Sequence, residues 1–255
     1  MNPIGLREDA GSIVVYGEGF EAVFGRVEGT IIKLSVRGRN LLLGGGGPRP
    51  HLWRAPHVYD DGWADRDWRR YGLRSLSWRT LCAKAMRISP FAARVEINSF
   101  GEGRRGFGVN HAAVYTVYWD GTIVADNSIS PQGRRIVLAR MGLRMFLNRR
   151  LDRLAYFGRG PMENYSDRKR GSDAGLYEST VAGQLTPYPK PMECGNHEDT
   201  RWLALTGGRG QGLLVSAAGG LMQFSALPYP DEALEPPPYD CDLPPSTSTV
   251  LVLGA

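Results

Sequence analysis

The sequence predicts an all-β protein, one large antiparallel sandwich of many strands. Short runs of β-branched and aromatic residues recur along the chain, cut by glycine. Asp120-Gly121 sits between two apolar runs, the strongest short-range hairpin signal. With 33 glycines and 17 prolines, few stretches are long enough for a helix.

The strands follow in order. "SIVVYGEGFEAVF" (12–24) and "TIIKLSVRGRNLLL" (30–43) read as strand pairs joined by glycine turns. "TLCAKAMRIS" (80–89) and "ARVEINSFG" (93–101) follow. "AAVYTVYWDGTIVADNSIS" (112–130) is the clearest hairpin, because Gly121 accepts the positive φ that a tight turn demands. "RRIVLARMGLRMFLN" (134–148), "RWLALTG" (201–207) and "GLLVSAAGGLMQFSAL" (212–227) complete the set. The nearest helix candidate, Asp231 to Leu234, runs straight into Pro236. Two segments break the rhythm: a Trp-, Arg- and Asp-rich excursion over 44–72, and a connection over 227–249 that holds seven prolines. Structureless stretches of that length inside a domain are usually functional or disordered.

Composition bounds the rest. A chain of 255 residues, 42% hydrophobic and 22% charged, buries roughly 70–75% of its unfolded surface and needs neither disulfide nor metal to fold. No apolar run approaches the roughly 20 residues of a membrane span. "MNPIGLREDAGS" lacks the basic-then-apolar layout of a signal peptide. Cys82, Cys194 and Cys241 are odd in number and far apart, as free thiols in a reducing compartment are; the expectation is a cytoplasmic protein. The formal charge of +5 invites a nucleic-acid reading, but only four of the 31 basic residues are lysines and the arginines are scattered, so that reading is set aside. The four histidines, His51, His57, His111 and His197, show no metal spacing, and no cofactor fingerprint occurs.

Several motifs in register carry a resemblance. "YFGRGPMENYSDRKRG" (156–171), "GLYESTV", "TPYPKPMECGNHEDTRWLAL", "GLLVS" and "FSALPY" follow one another, with "GEGFEAVFGRVEGTIIKLSVRGRNLL" and "HLWRAP" upstream. Together they resemble the C-terminal small-chain, or fifth, domain of glycoside hydrolase family 2 β-galactosidases. The resemblance covers the chain from about Gly11 to Leu253. It implies a galactose-mutarotase-like supersandwich over 1–255, acting as a non-catalytic domain that supports the active site of a barrel-containing chain. In such enzymes two glutamates on a (β/α)8 barrel do the chemistry, and nothing here reads as eight alternating strand and helix units. The family's domain also ends in a segment bearing a tryptophan that reaches the sugar, so the resemblance implies a chain truncated at its C-terminus. Met192 and Cys194 stand where the family usually has a polar pair. A mutarotase-type epimerase and a free carbohydrate-binding module are the alternatives.

The site candidates for carbohydrate or subunit contact fall in three places. Glu163, Asn164, Tyr165, Asp167 and Arg168 share the first loop, where Gly158 and Gly160 are expected to permit a sharp turn fixed by Pro161. Glu163 and Asp167 are expected to accept from Arg159 or Arg168 and so lock it. Trp53, Arg54, Tyr59, Asp60 and Trp63 lie in the excursion, with Trp68, as interface anchors or a small satellite core. His197 stands alone. The final "VLVLGA" is expected to leave an open strand edge, so that the chain self-associates or binds a catalytic large chain.

Overall fold

The computed structural model describes residues 2–208 and 210–254, with the backbone alone at residue 61. The chain forms two compact units, residues 2–50 with 67–137, and residues 51–66 with 138–254.

In the first unit, β1 (Gly5–Glu8), β2 (Ser12–Gly17), β3 (Phe20–Gly25), β4 (Thr30–Val36) and β5 (Arg39–Asn40) form one sheet in chain order. β6 (Arg49–His51) follows, at the boundary of the two units. The long strands β7 (Ser77–Ser89), β8 (Ala92–Glu102), β9 (Gly108–Tyr118) and β10 (Ile123–Gln132) form a second sheet in the order β10-β9-β8-β7. Alternation decides the buried faces: Val95 and Ile97 on β8, and Ala113, Tyr115 and Val117 on β9, are all interior. The ring of Phe24 on β3 meets Tyr115 with centroids 5.2 Å apart. The Asp-Gly hairpin forms as the sequence indicates: Val117 pairs with Ile123, and Gly121 sits at φ +86°.

The second unit has the same logic. β11 (Gly142–Asn148), β12 (Arg153–Gly160), β13 (Asp173–Thr180), β14 (Asn196–Thr200), β15 (Trp202–Thr206), β16 (Gly212–Ser216), β17 (Met222–Leu227) and β18 (Ser248–Gly254) build two sheets. One runs β13-β12-β15-β16; the other runs β14-β17-β18-β11, with His51 at its far end. Tyr156 of β12 sits 5.1 Å from Phe224 of β17, ring to ring, at the centre of the core.

Five expectations need correction. The last strand is not an edge: β18 pairs antiparallel with both β11 and β17, so its backbone groups are taken on both sides. The excursion is not structureless. It contains a 3-10 turn at Asp60–Gly62 and the helix α1 (Asp65–Tyr71), whose Trp68 is fully buried. A single helical turn, α2 (Asp231–Leu234), likewise interrupts the proline-rich segment. Gly158 and Gly160 form no turn, because β12 runs through both. What they permit is close approach: a Cβ at Gly158 would stand 2.4 Å from Thr200 Oγ1, and one at Gly160 would stand 2.3 Å from Tyr156 Oη. In "RRIVLARMGLRMFLN", finally, only 142–148 are strand; Arg140, just before it, turns into a buried charge cluster.

Candidate functional site

The loop that follows β12 is held by side chains that face inward. Asn164 is fully buried and spends every polar atom: Nδ2 donates to the carbonyls of Arg159 (3.1 Å) and Met162 (3.0 Å), and Oδ1 accepts the Glu198 amide (2.8 Å). Glu163 takes four donors. Arg168 Nη2 (2.8 Å) and the Tyr188 hydroxyl reach Oε1; the Gly195 amide (2.7 Å) and Thr186 Oγ1 (3.0 Å) reach Oε2. Burial pushes the Glu163 carboxyl up, but the bonds from Tyr188, Gly195 and Thr186 and the charge of Arg168 outweigh it and hold the pKa below the usual range. The carboxylate is a structural anchor. Arg168 also lies over the Tyr165 ring, 4.6 Å from its centroid. Arg159 goes elsewhere, to Asp199 (2.5 Å) and the Ser172 carbonyl (2.8 Å), and Asp167 is exposed. Of the expected locking pairs, Glu163 with Arg168 is the one this structure forms.

His197 is interior. Its Nδ1 lies 2.9 Å from the Arg159 carbonyl and 3.1 Å from Tyr156 Oη, its Nε2 lies 2.5 Å from Gln184 Oε1, and Phe224 stacks on the ring. Burial lowers its pKa, so the neutral ring is favoured.

The Trp-Arg-Ala-Pro stretch organises the rest. Trp53 is buried. Arg54 Nη2 donates to both oxygens of buried Asp60 (3.0 and 3.2 Å), which also accepts the His57 amide (2.8 Å). The Asp60 carbonyl accepts the amides of Trp63 and Ala64, and this tight turn leaves Tyr59 (86% exposed) and Trp63 (58%) outward. The aromatic candidates thus divide: Trp53 packs inside, whereas Tyr59 and Trp63 face solvent.

Behind Arg54 lies a buried charge cluster. Arg140 Nη2 donates to Glu193 Oε1 (2.7 Å), and its Nη1 is 3.8 Å from Asp231. Asp231 accepts the Ala55 amide (2.9 Å) and pairs with His51 Nε2 at 2.8 Å. Burial opposes both charges, yet His51, Arg140 and the Ala55 amide keep the Asp231 carboxyl well below its ordinary range. Glu193 and Asp231 in turn keep Arg140 charged. Cys194 packs with Ala55, Leu227 and Leu234, where burial pushes its thiol up to about 12. Cys194 therefore serves packing.

A cavity of about 250 Å³ opens on this cluster, lined by Arg54, Arg140, Tyr165, Glu193, Asn196 and Glu198, over a floor that includes Met141, Phe224 and Val252. Tyr165 and Arg54 were legible as candidates. Glu193, Arg140 and Asp231 carry no local sequence signal, because only the fold brings them together.

The profile of the β-galactosidase small chain matches residues 16–255, nearly the whole chain. The chain belongs to the β-galactosidase small-chain family. A β-galactosidase of Priestia megaterium is 31% identical over 244 residues, covering 94% of this chain and 23% of the relative. One of Lactobacillus delbrueckii subsp. bulgaricus is 28% identical over 251 residues, again 94% and 23%. The small-chain protein thus spans about a quarter of the length of these relatives. Among solved structures, a galactose 1-epimerase from Lactobacillus acidophilus NCFM aligns over 100% of this chain and 98% of its own, at 12% identity and a TM-score of 0.35.

Proposed function

We propose that this chain is a non-catalytic β-galactosidase small-chain domain that docks on a barrel-containing large chain and supports its hydrolysis of terminal β-D-galactosides. The single observation behind the reading is that 94% of the chain matches only 23% of relatives named β-galactosidase. The family match runs through both compact units, which favours reading them as one small-chain-like domain. Tyr59 and Trp63 are the docking candidates, because exposed aromatic side chains are enriched where interfaces carry their binding energy. Self-association through the same side chains is the competing use of that surface. A cytoplasmic location belongs to the same proposal, supported by three cysteines that form no disulfide.

The test is complementation. The purified chain alone releases no nitrophenol from a chromogenic β-galactoside, and addition of it to a family 2 large chain lacking this region raises that chain's turnover. Hydrolysis by the isolated chain that is abolished by Glu163→Gln, or a large chain indifferent to its presence, overturns the reading.

A further inference from the structure

We propose that one end of the sheet β10-β9-β8-β7 is a docking surface for an acidic protein segment, a stretch of chain carrying several aspartates or glutamates. The proposal does not depend on docking to a large chain.

The strand register gathers the charge. Ser77, Glu102, Gly108 and Gln132 pair in one row across the four strands. The turn between β8 and β9 leaves from that row with Arg104 and Arg105. The chain after β10 leaves from it with Arg134 and Arg135, and Arg79 lies two residues inside it on β7. The two exits touch: a Cβ at Gly133 would stand 2.1 Å from the Gly106 carbonyl oxygen. Helix α1 ends against the first of them, because the Arg104 amide donates to the Tyr71 carbonyl (2.9 Å), and this brings Arg70 in the last helical turn to the same end. All six arginines are exposed. The opposite end of the same sheet differs: its turns, 90–91 and 119–122, hold Asp120 and no basic residue. Residues 67–137 as a whole carry eleven arginines and lysines against five aspartates and glutamates.

This concentration is not answered from within. Among the described residues, Arg104, Arg105, Arg134 and Arg135 form no ion pair. Like charges crowded on one surface repel and weaken the compact state. Arg105 also holds φ +54°, so an arginine stands where the backbone itself favours glycine. Carboxylates of a partner would relieve the repulsion, and a guanidinium fork can hold both oxygens of one carboxylate. The surroundings favour a protein over a nucleic acid. Single strands are held by stacking bases on open rings. Here Tyr71 and Phe107 are buried, Phe100 lies 5.3 Å beneath the Arg79 guanidinium, and Trp78 meets His111 edge-on at 6.3 Å. A duplex groove admits a helix or a two-stranded ribbon, whereas most of this charge stands on short turns.

The experiment is fluorescence anisotropy of a labelled octaglutamate peptide titrated with the full chain at about 0.15 M salt, with octathymidylate as the nucleic-acid probe. Saturable binding of octaglutamate, weakening as salt is raised, is expected. Exposed ion pairs are individually weak, so Arg104→Gln, Arg105→Gln, Arg134→Gln and Arg135→Gln together are expected to weaken it about tenfold. Arg37→Gln, Arg39→Gln, Arg149→Gln and Arg150→Gln together remove the same charge from other exposed positions and are expected to change it by less than about twofold. Should the first set fail to fold, Arg134→Gln with Arg135→Gln decides, with an expected loss of about threefold. The proposal falls if octaglutamate does not saturate by about 1 mM protein, a weak affinity by any standard. It also falls if the two sets of variants weaken binding equally, since net charge alone then explains it, or if octathymidylate binds more tightly than octaglutamate.

Discussion

Replacing Glu163 by alanine tests whether this carboxylate anchors the loop after β12 or merely decorates it. Its side chain is 9% exposed and accepts four hydrogen bonds. Hydrogen bonds to a charged group each contribute about 1.5–3 kcal/mol net, but the four do not add. Arg168 is half exposed, so its share is screened, and its guanidinium turns to water once the partner is gone. The Gly195 amide and Thr186 Oγ1 are the donors left stranded, and Gly195 is buried. Two stranded donors give a loss of about 3–4 kcal/mol, the range of a broken buried network. At about 2–4 °C per kcal/mol for a chain of this size, the midpoint should fall by roughly 6–16 °C. Urea unfolding with Thr186→Val as a control supplies the scale, since that change removes one neutral donor and should cost only about 1 kcal/mol. A Glu163→Ala loss no larger than the control's would refute the anchor.

Other outcomes follow from the same geometry. Trp63→Ala should weaken association with a large chain, or with a second copy, by about 2 kcal/mol or more; an unchanged dissociation constant in ultracentrifugation removes Trp63 from the interface. Gly160→Ala should destabilise by more than about 1 kcal/mol, because the added methyl meets Tyr156 Oη and the Tyr177 ring; a neutral result would show that the two tyrosines yield freely. Stability should fall on acidification from about pH 6.5, the ordinary histidine pKa. Burial, foremost, depresses the folded pKa of His51, His111 and His197, so the unfolded chain binds more protons in this window and each histidine contributes up to about 1.4 kcal/mol per pH unit. Their stabilisation is present above pH 6.5 and is lost as pH falls towards the folded values. Asp231, held low by His51 and Arg140, adds its own loss only below about pH 4, the ordinary carboxyl range. Equal urea midpoints at pH 7.5 and 5.5 would contradict the histidine part.

The strands were legible because period-two alternation and glycine turns are local signals. The hairpin at Asp120-Gly121 needs no knowledge of the rest of the chain. What was not legible depends on distant partners. Strand β18 reads as a last strand with an open edge, yet β11, more than a hundred residues earlier, closes one side of it. Gly158 and Gly160 read as a turn, and only the positions of Thr200, Tyr156 and Tyr177 show that the strand continues and that bulk is what they avoid. Helix α1 was hidden by its composition: seven residues with three arginines and two aspartates look like a solvent loop until Trp68 is seen to be interior. Arg140 and Glu193 are 53 residues apart, and no spacing rule joins them.

The residues that make the family recognisable are mostly turned inward. Asn164, Glu163, Arg54 and His197 turn polar atoms to groups of this same chain, so these motif residues hold the backbone in shape. A surface that meets a partner must be made of what that scaffold leaves outside. Here those groups include Tyr59, Trp63 and Asp167, whose side chains are exposed. Substitutions in the two classes should therefore separate experimentally. Changes at the inward residues should lower the unfolding midpoint and lower complementation only in proportion. Changes at Tyr59, Trp63 or Asp167 should leave the midpoint within about 0.5 kcal/mol of the parent, as surface substitutions do, and lower complementation on their own. If Glu163→Ala abolished complementation while the midpoint stayed put, the inward class would be making contact with the partner, and the division drawn from burial would be wrong.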